Sequence, residues 1–360
     1  MYCEALGLPE GRKALMKIFI KLKIMKKEES ILIEKQTYPE KKLCKFSVSF
    51  IMPKKELVKL RERKEDIFIQ FPLGECQILP DYKNNQAEIS KLIDLIREIN
   101  DDENAEIIEI SLDSYTCPNG SYISNKEIST KRAYGLKRYI QFIYGFDNNI
   151  FKVRGMSDDW SSIEQLLLES NGEIAGKEEA LSVIWNTDIF EGREKALKNI
   201  RNGELFEQIE LYIYPLVRRF SCSVSYTIHP FDVEKGKLIL KKSPAQLSLD
   251  ELYQIARTYK SYTPKFNEII NLAVSLNPKD EVANLNAAAL ALKFNDPSSA
   301  KKYLQLANTN TPEFLNNMGI LFMMCGEYNK AWDAFNRSVK KGSNDGEFNM
   351  LMLEKEKIYR

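Results

Sequence analysis

The last third of the chain repeats itself with a period of 31 residues. Small and apolar residues recur at matching places, Ala288, Ala300, Leu304 and Ala307 aligning with Gly319, Ala331, Phe335 and Ser338. Such a period is typical of stacked helical hairpins, because small side chains let paired helices approach closely. About three hairpins fit between Leu247 and Gly342, near the minimum for a stable stack. The polar tail, residues 349–360, is expected to cap it.

We therefore predict an all-α domain over residues 244–360 that resembles tetratricopeptide repeats. Stacked hairpins leave a concave face that can hold an extended or helical peptide, so the expected partner is a protein. Four asparagines are candidates for lining this groove: Asn284, Asn286, Asn316 and Asn317. Their amides can both donate to and accept from a peptide backbone. Asparagines at such places also pack hairpins together, and the sequence leaves both interpretations open.

The middle of the chain, residues 67–243, mixes strands and helices. Apolar residues at helical spacing predict helices at 84–100 and 125–145, and alternation predicts strands before, between and after them. Residues 158–218 are predicted to be wholly helical, and alternation returns in a last strand at 220–229. The pattern indicates an α+β sandwich with a helical insertion.

Composition limits the possible functions. The chain has 360 residues, enough at roughly 100 to 200 residues per domain for two or three domains. Its 52 Lys+Arg nearly balance 51 Asp+Glu, so we expect no nucleic-acid partner, which would need a basic surplus. Residues 1–66 do carry 17 Lys+Arg against 10 Asp+Glu and are predicted to form a basic, β-rich leader.

The supply of metal ligands and catalytic bases is small. His229 is the one histidine, and it is expected on the polar face of the last strand. The six cysteines are widely spaced without a CxxC pair, so no metal and no cofactor are predicted. Cys117 could act as a nucleophile only with a base, and His229 lies on another strand. We therefore predict no catalytic residues and no enzyme.

No export signal or transmembrane helix is apparent in the sequence. Residues 15–25 are the best signal-peptide candidate, but Lys17, Lys21 and Lys23 interrupt the apolar stretch. No run of about 18 apolar residues occurs elsewhere.

Residues 113–140 resemble the C-terminal domain of the OmpA family. The matching features are Gly120-Ser121, Asn125, Ile128-Ser129, Arg132-Ala133 and Tyr139-Ile140. Arg218-Arg219 is also similar to the double arginine that precedes that family's last strand. The resemblance implies an OmpA-like β/α sandwich over residues 67–243, interrupted by the helical insertion.

The order of the parts resembles a Bacteroidetes cell-envelope family of unknown function. This resemblance implies a non-enzymatic scaffold or anchoring protein of the periplasm or outer membrane, linked to peptidoglycan or to surface-fimbria assembly. Members of that family carry export signals. Either the N-terminus is incomplete, then, or this chain's location differs from theirs. The alternative is a soluble repeat adaptor that binds a protein partner through its helical groove.

The OmpA resemblance also implies a site for the peptide stem of peptidoglycan. Members that bind it hold diaminopimelate with an Asp and an Arg, and Arg132 matches the Arg. The Asp position is Cys117, a loss that weakens binding by roughly tenfold to a hundredfold. Asn125 and Gly120 complete the expected site. Arg132 could instead be a surface arginine that pairs with a local carboxylate such as Glu127.

Overall fold

The computed structural model describes residues 43–72, 75–118, 120–170, 174–190 and 192–355. These residues form two compact units. The first is Leu60–His229, and the second combines residues 43–59 with residues 230–355. Sequence reasoning expected boundaries near residues 66 and 243 and a separate leader. Instead, the described part of that leader divides between the two units.

The first unit contains a four-stranded sheet with the strand order β1-β4-β2-β3. The strands are β1 (Lys59–Ile67), β2 (Ala105–Thr116), β3 (Phe151–Asp158) and β4 (Phe220–Ile228). β2 runs parallel to β3 and antiparallel to β4, with Ile110 facing both Phe151 and Val224. The alternation in β2 buries Ile110 and Leu112, as one apolar face requires.

Two helices cover the apolar face of this sheet. They are α1 (Asn85–Asn100) and α2 (Tyr122–Tyr144). Leu92 and Ile96 of α1 and Leu136 and Ile140 of α2 are fully buried in the same core as the strands. Ser121 caps the start of α2, accepting a bond from the Ser124 N–H.

The stretch between β3 and β4 is helical, as predicted. It contains α3 (Trp160–Glu169), α4 (Lys177–Asn186), α5 (Arg193–Asn199), α6 (Glu204–Gln208) and α7 (Tyr214–Val217), with a π-helical turn at Ile209–Ile213. These helices have their own core, which includes Ile163, Leu205 and Tyr214.

Apart from residues 43–59, the second unit is mainly a series of helices that pack against their neighbours. They are α8 (Val233–Lys242), α9 (Leu249–Ala256), α10 (Pro264–Leu276), α11 (Glu281–Lys293), α12 (Pro297–Leu304), α13 (Pro312–Met324), α14 (Tyr328–Lys340) and α15 (Asn344–Lys355). α11 and α13 begin 31 residues apart, matching the sequence period. At Gly319 in α13 a Cβ would lie 2.4 Å from the Phe335 ring of α14, so only glycine allows this approach. The chain is thus of the α+β class, with helical hairpins at its C-terminal end. Among the described residues, no helix is long and apolar enough to cross a membrane.

Candidate functional site

In the second unit, a segment of the chain's own leader fills a groove and is held there by many polar contacts. Residues 44–51, here called the strap, lie against α11, α13 and α15 without forming regular secondary structure. Apolar residues at 44, 46, 48 and 50 alternate with others at 45, 47, 49 and 51. That alternation is typical of a strand with two different faces.

Three asparagines each hold one strap residue by its backbone. Asn317 accepts a bond from the Ser49 N–H at 2.9 Å and donates to the Ser49 carbonyl at 2.8 Å. Asn286 binds Ile51 in the same way, at 2.8 and 2.7 Å. Each side-chain amide thus takes the place that a neighbouring strand would occupy in an antiparallel sheet.

Asn349 is the third of these asparagines, and it shows how the spacing of the helical repeat matches the spacing of residues along the strap. It accepts from the Ser47 N–H and donates to the Ser47 carbonyl, both at 2.8 Å. The three asparagines are 31 and 32 residues apart, whereas the strap residues they hold are two apart, in the opposite order. Because alternate residues of an extended chain point the same way, one helical repeat serves every second strap residue.

The bonds that Asn286, Asn317 and Asn349 make to the strap backbone are here called the ladder. Asn316 and Asp345 contact the strap beside this ladder. The Asn316 amide donates to the Ser47 carbonyl at 2.8 Å and to the Ser49 hydroxyl at 2.9 Å. Asp345 accepts the Ser47 hydroxyl on Oδ1 at 2.6 Å and the Ser49 hydroxyl on Oδ2 at 2.7 Å. Each carboxylate oxygen therefore binds one serine hydroxyl.

The other face of the strap is apolar. Phe46 stacks on Phe335 with ring centres 6.4 Å apart, and Phe50 meets Phe266 edge-on at 6.1 Å. Cys44 and Val48 are buried in the same core as the repeat helices. Burial raises the pKa of the Cys44 thiol, which favours the neutral form.

Polar contacts also fix the two ends of the strap region. At one end Lys293 accepts the Cys44 N–H on its carbonyl at 2.8 Å, and its ammonium donates back to the Cys44 carbonyl at 2.7 Å. Beyond the other end, the Glu56 N–H donates to Asp250 at 3.1 Å. Lys59 is fully buried, 3.0 Å from a Glu251 oxygen.

The structure separates the four asparagines that sequence analysis grouped together. Asn286, Asn316 and Asn317 contact the strap, whereas Asn284 donates to the carbonyls of Pro278 and Asp280 at 3.0 and 2.8 Å, within its own hairpin turn. Asn349 and Asp345 were missed. Continuing the 31-residue period past Asn317 reaches Phe348, one residue before Asn349.

The residues predicted to bind peptidoglycan lie in the first unit. Asn125 donates to the Cys117 carbonyl at 3.2 Å and to Asp158 at 2.8 Å. Cys117 is buried, and its sulfur lies 2.9 Å from Nε of Arg218. Gly120 has a φ of 124°, a left-handed value that favours glycine.

Arg132 points at neighbouring backbone and an aromatic ring. Its Nε and Nη2 each lie 3.4 Å from the Glu75 carbonyl, and its guanidinium lies 4.2 Å from the centre of the Phe71 ring. Burial lowers the pKa of the Arg132 guanidinium. Glu127, considered above as a partner for Arg132, pairs instead with Lys131 at 2.6 Å.

His229 and Cys117, the two residues considered for catalysis, contact different parts of the first unit. His229 is exposed just past the end of β4, and its backbone N–H donates to the Asn104 carbonyl. The sulfur of Cys117, in contrast, is buried beside Nε of Arg218. Within the part of the chain that the structure describes, no group of three or more His, Cys, Asp or Glu side chains could hold a metal ion.

Comparison with known proteins returned no matching family model and no matching curated relative.

Proposed function

We propose that this protein is a non-enzymatic scaffold whose repeat unit binds an extended polypeptide strand by its backbone. The observation that carries the proposal is the ladder in which Asn286, Asn317 and Asn349 each hold both backbone groups of one strap residue. The helical hairpins resemble tetratricopeptide repeats, and the α+β unit resembles the OmpA-like domain. On this proposal the two units form a cell-envelope scaffold, as the resemblance implies.

The burial of the ladder asparagines indicates that they bind a strand, and that they do not only pack the helical hairpins against each other. A side-chain amide buried without partners would cost about 1 to 3 kcal/mol, so fully buried asparagines need polar groups opposite them. Asn286, Asn317 and Asn349 are 0% exposed and find those groups on the strap backbone. Any extended segment supplies the same N–H and C=O groups, whatever its side chains. The backbone bonds of the groove therefore suit extended segments in general and do not depend on their side chains.

The strap occupies the groove in the same molecule. A tethered segment acts at an effective concentration of about millimolar, so a strand from a partner must displace the strap or bind when it has left. The groove thus has a resting occupant and, on this proposal, an exchanged state with a partner strand.

Strand exchange tests the proposal on the full chain. A protease recognition sequence inserted between the exposed Lys54 and Lys55 allows the strap to be cut from the rest after folding. We expect the cut strap to stay bound, and a labelled synthetic peptide of residues 43–53 to replace it slowly. Binding should weaken about tenfold or more in Asn317→Ala, because two backbone groups lose their partner.

Asn284→Ala is the matched control for this experiment. It removes a buried amide from the same helix as Asn286, but one bonded to its own hairpin turn. It should lower the melting temperature and leave peptide affinity unchanged. Failure of the labelled peptide to bind the cut chain under any condition would contradict the proposal.

A second candidate function, peptidoglycan binding by the first unit, is favoured by one observation. Arg132 and Arg218 both lie near Cys117, and the guanidinium of Arg132 donates to a backbone carbonyl, that of Glu75. The contacts of Arg132 to Glu75 are long, and a carboxylate ligand could replace them. Co-sedimentation with purified sacculi tests this function. Equal sedimentation of wild type and Arg132→Ala would exclude recognition by this site.

Cell fractionation of the protein expressed from its natural gene tests the proposed location. Recovery in the periplasm or outer membrane supports the envelope scaffold. Recovery in the cytoplasm would instead support the repeat adaptor, which uses the same groove.

A further inference from the structure

We infer that the groove selects partner strands with hydroxyl side chains at two alternating positions, and that Asp345 makes the selection. The inference rests on the proposed function and deepens it by naming the ligand. The carboxylate of Asp345 binds both serine hydroxyls of the strap, one on each oxygen, at 2.6 and 2.7 Å. The Asn316 amide adds a bond to the Ser49 hydroxyl.

The chemistry of a carboxylate explains the selection. An ionised carboxylate only accepts hydrogen bonds, so a strand must offer a donor at each of the two positions. Serine and threonine do so with short side chains, and position 49 is only 3% exposed, which excludes larger side chains there. An aspartate or a phosphoserine would set like charges in contact with Asp345 and be rejected.

The opposite face of the strap sets the remaining positions. Phe46 and Phe50 meet aromatic rings of the repeat helices, and Val48 lies buried between them in sequence. A partner strand should therefore alternate large apolar residues with hydroxyl residues, in the order aromatic, hydroxyl, aliphatic, hydroxyl, aromatic. We name its occupant by this chemistry: an extended segment of another protein that replaces the strap.

The chain itself supplies two further probe sequences. Residues 220–226 read Phe-Ser-Cys-Ser-Val-Ser-Tyr and have hydroxyls at alternating positions. Residues 110–114 read Ile-Ser-Leu-Asp-Ser and have an aspartate where the second hydroxyl would lie. As synthetic peptides extended to equal length, the first should compete with the strap. The second should not, because it has the aspartate and lacks the two aromatic residues, and the single Ser49→Asp change below isolates the effect of the aspartate.

The test uses the cut full chain and competition against the labelled 43–53 peptide, under reducing conditions. Replacing both serines by alanine should weaken the peptide by roughly tenfold or more, and Ser49→Asp should weaken it further. In the Asp345→Asn protein the Ser49→Asp peptide should regain affinity, because an amide can donate to the new carboxylate. The melting temperature of Asp345→Asn shows that the variant is folded.

The outcomes separate this inference from the proposed function. If no peptide binds, the proposed function fails and this inference with it. If the alanine and aspartate peptides bind as tightly as the natural sequence, the backbone clamp stands and selection by Asp345 is wrong. Loss of the aspartate peptide with wild type and its recovery with Asp345→Asn would establish the selection.

Discussion

Asn317 binds both backbone groups of Ser49, although 268 residues separate the two in sequence. This bidentate contact joins a segment of the leader to α13, the third helix from the end of the described residues, within one unit. Removing the amide leaves a buried N–H and a buried carbonyl without partners. The strap should then leave its groove more often.

Cys44 reports this opening directly. Its thiol is buried and its pKa is raised by burial, so alkylation by iodoacetamide should be slow in the native protein. Exposed Cys325 should react at once and serves as the internal control. We expect Asn317→Ala to accelerate alkylation of Cys44 by about tenfold or more, with Asn284→Ala far less effective. Equal rates in all three proteins would mean that the ladder does not hold the strap.

Gly319 should not tolerate alanine. A Cβ there would lie 2.4 Å from Phe335, and overpacking of this kind costs about 1 to 3 kcal/mol. Urea unfolding should show this loss for Gly319→Ala. Adding Phe335→Leu should cost less in the Gly319→Ala background than in wild type, because the smaller side chain relieves the overlap. Strict additivity of the two changes would contradict the assigned contact.

The buried pair of Lys59 and Glu251 should be sensitive to loss of either partner. Lys59 has no exposed side-chain area, and its ammonium lies 3.0 Å from the carboxylate and 3.8 Å from the centre of the Phe231 ring. Lys59→Met alone should destabilise the protein by about 3 to 5 kcal/mol, because it leaves a buried charge uncompensated. Lys59→Met combined with Glu251→Leu should recover part of that loss in urea unfolding. A double variant as unstable as the sum of the singles would oppose this account.

Two adjacent aspartates should respond to acid in opposite directions. Burial alone would raise the pKa of Asp159, but bonds from Ser162 and Arg219 lower it below 3.8, whereas burial raises the pKa of Asp158 above that value. A lowered folded pKa gives stability that is present above the unfolded pKa and lost as pH falls through the folded pKa. A raised folded pKa lowers the free energy of unfolding at neutral pH, and this stability is regained as the pH falls and the group is protonated.

Unfolding free energies between pH 7 and pH 3 test this assignment. Asp159→Asn should reduce stability at pH 7 and flatten the loss on acidification. Asp158→Asn, which keeps an oxygen able to accept from Asn125, should steepen it. The same pH dependence in both variants would show that the two carboxyls are not tuned as described.

Sequence patterns predicted β2, α1, α2 and β4, whereas the first strand, expected at residues 67–73, lies at Lys59–Ile67. The alternation in β2 and the apolar spacing in α1 lie within single elements, so local residues determine them. Asn286, Asn316 and Asn317 are predictable because amides on the inner helices of a stacked array can bind a peptide backbone, and Asn286 and Asn317 lie one period apart. Asn349 lies beyond Gly342, where the predicted repeats end, in a tail that the sequence predicts to be a cap, and in the structure it belongs to α15.

The strap could not be predicted, because its partners are distant in sequence. Its alternating pattern favours a strand, yet the groups that bind it belong to helices more than 230 residues later. Nor does sequence show where the Arg132 side chain turns. The contact with Phe71 depends on tertiary packing.

The long separation in sequence between the strap and the helices of its groove also has a consequence during synthesis on the ribosome. Ser47 is made 302 residues before Asn349, its partner in the groove. At about 5 to 20 residues per second, the segment Cys-Lys-Phe-Ser-Val-Ser-Phe-Ile waits for roughly 15 to 60 seconds before the last helix exists. Throughout that time it is an unpaired apolar strand, the kind of sequence that nascent-chain chaperones bind and that aggregates without them.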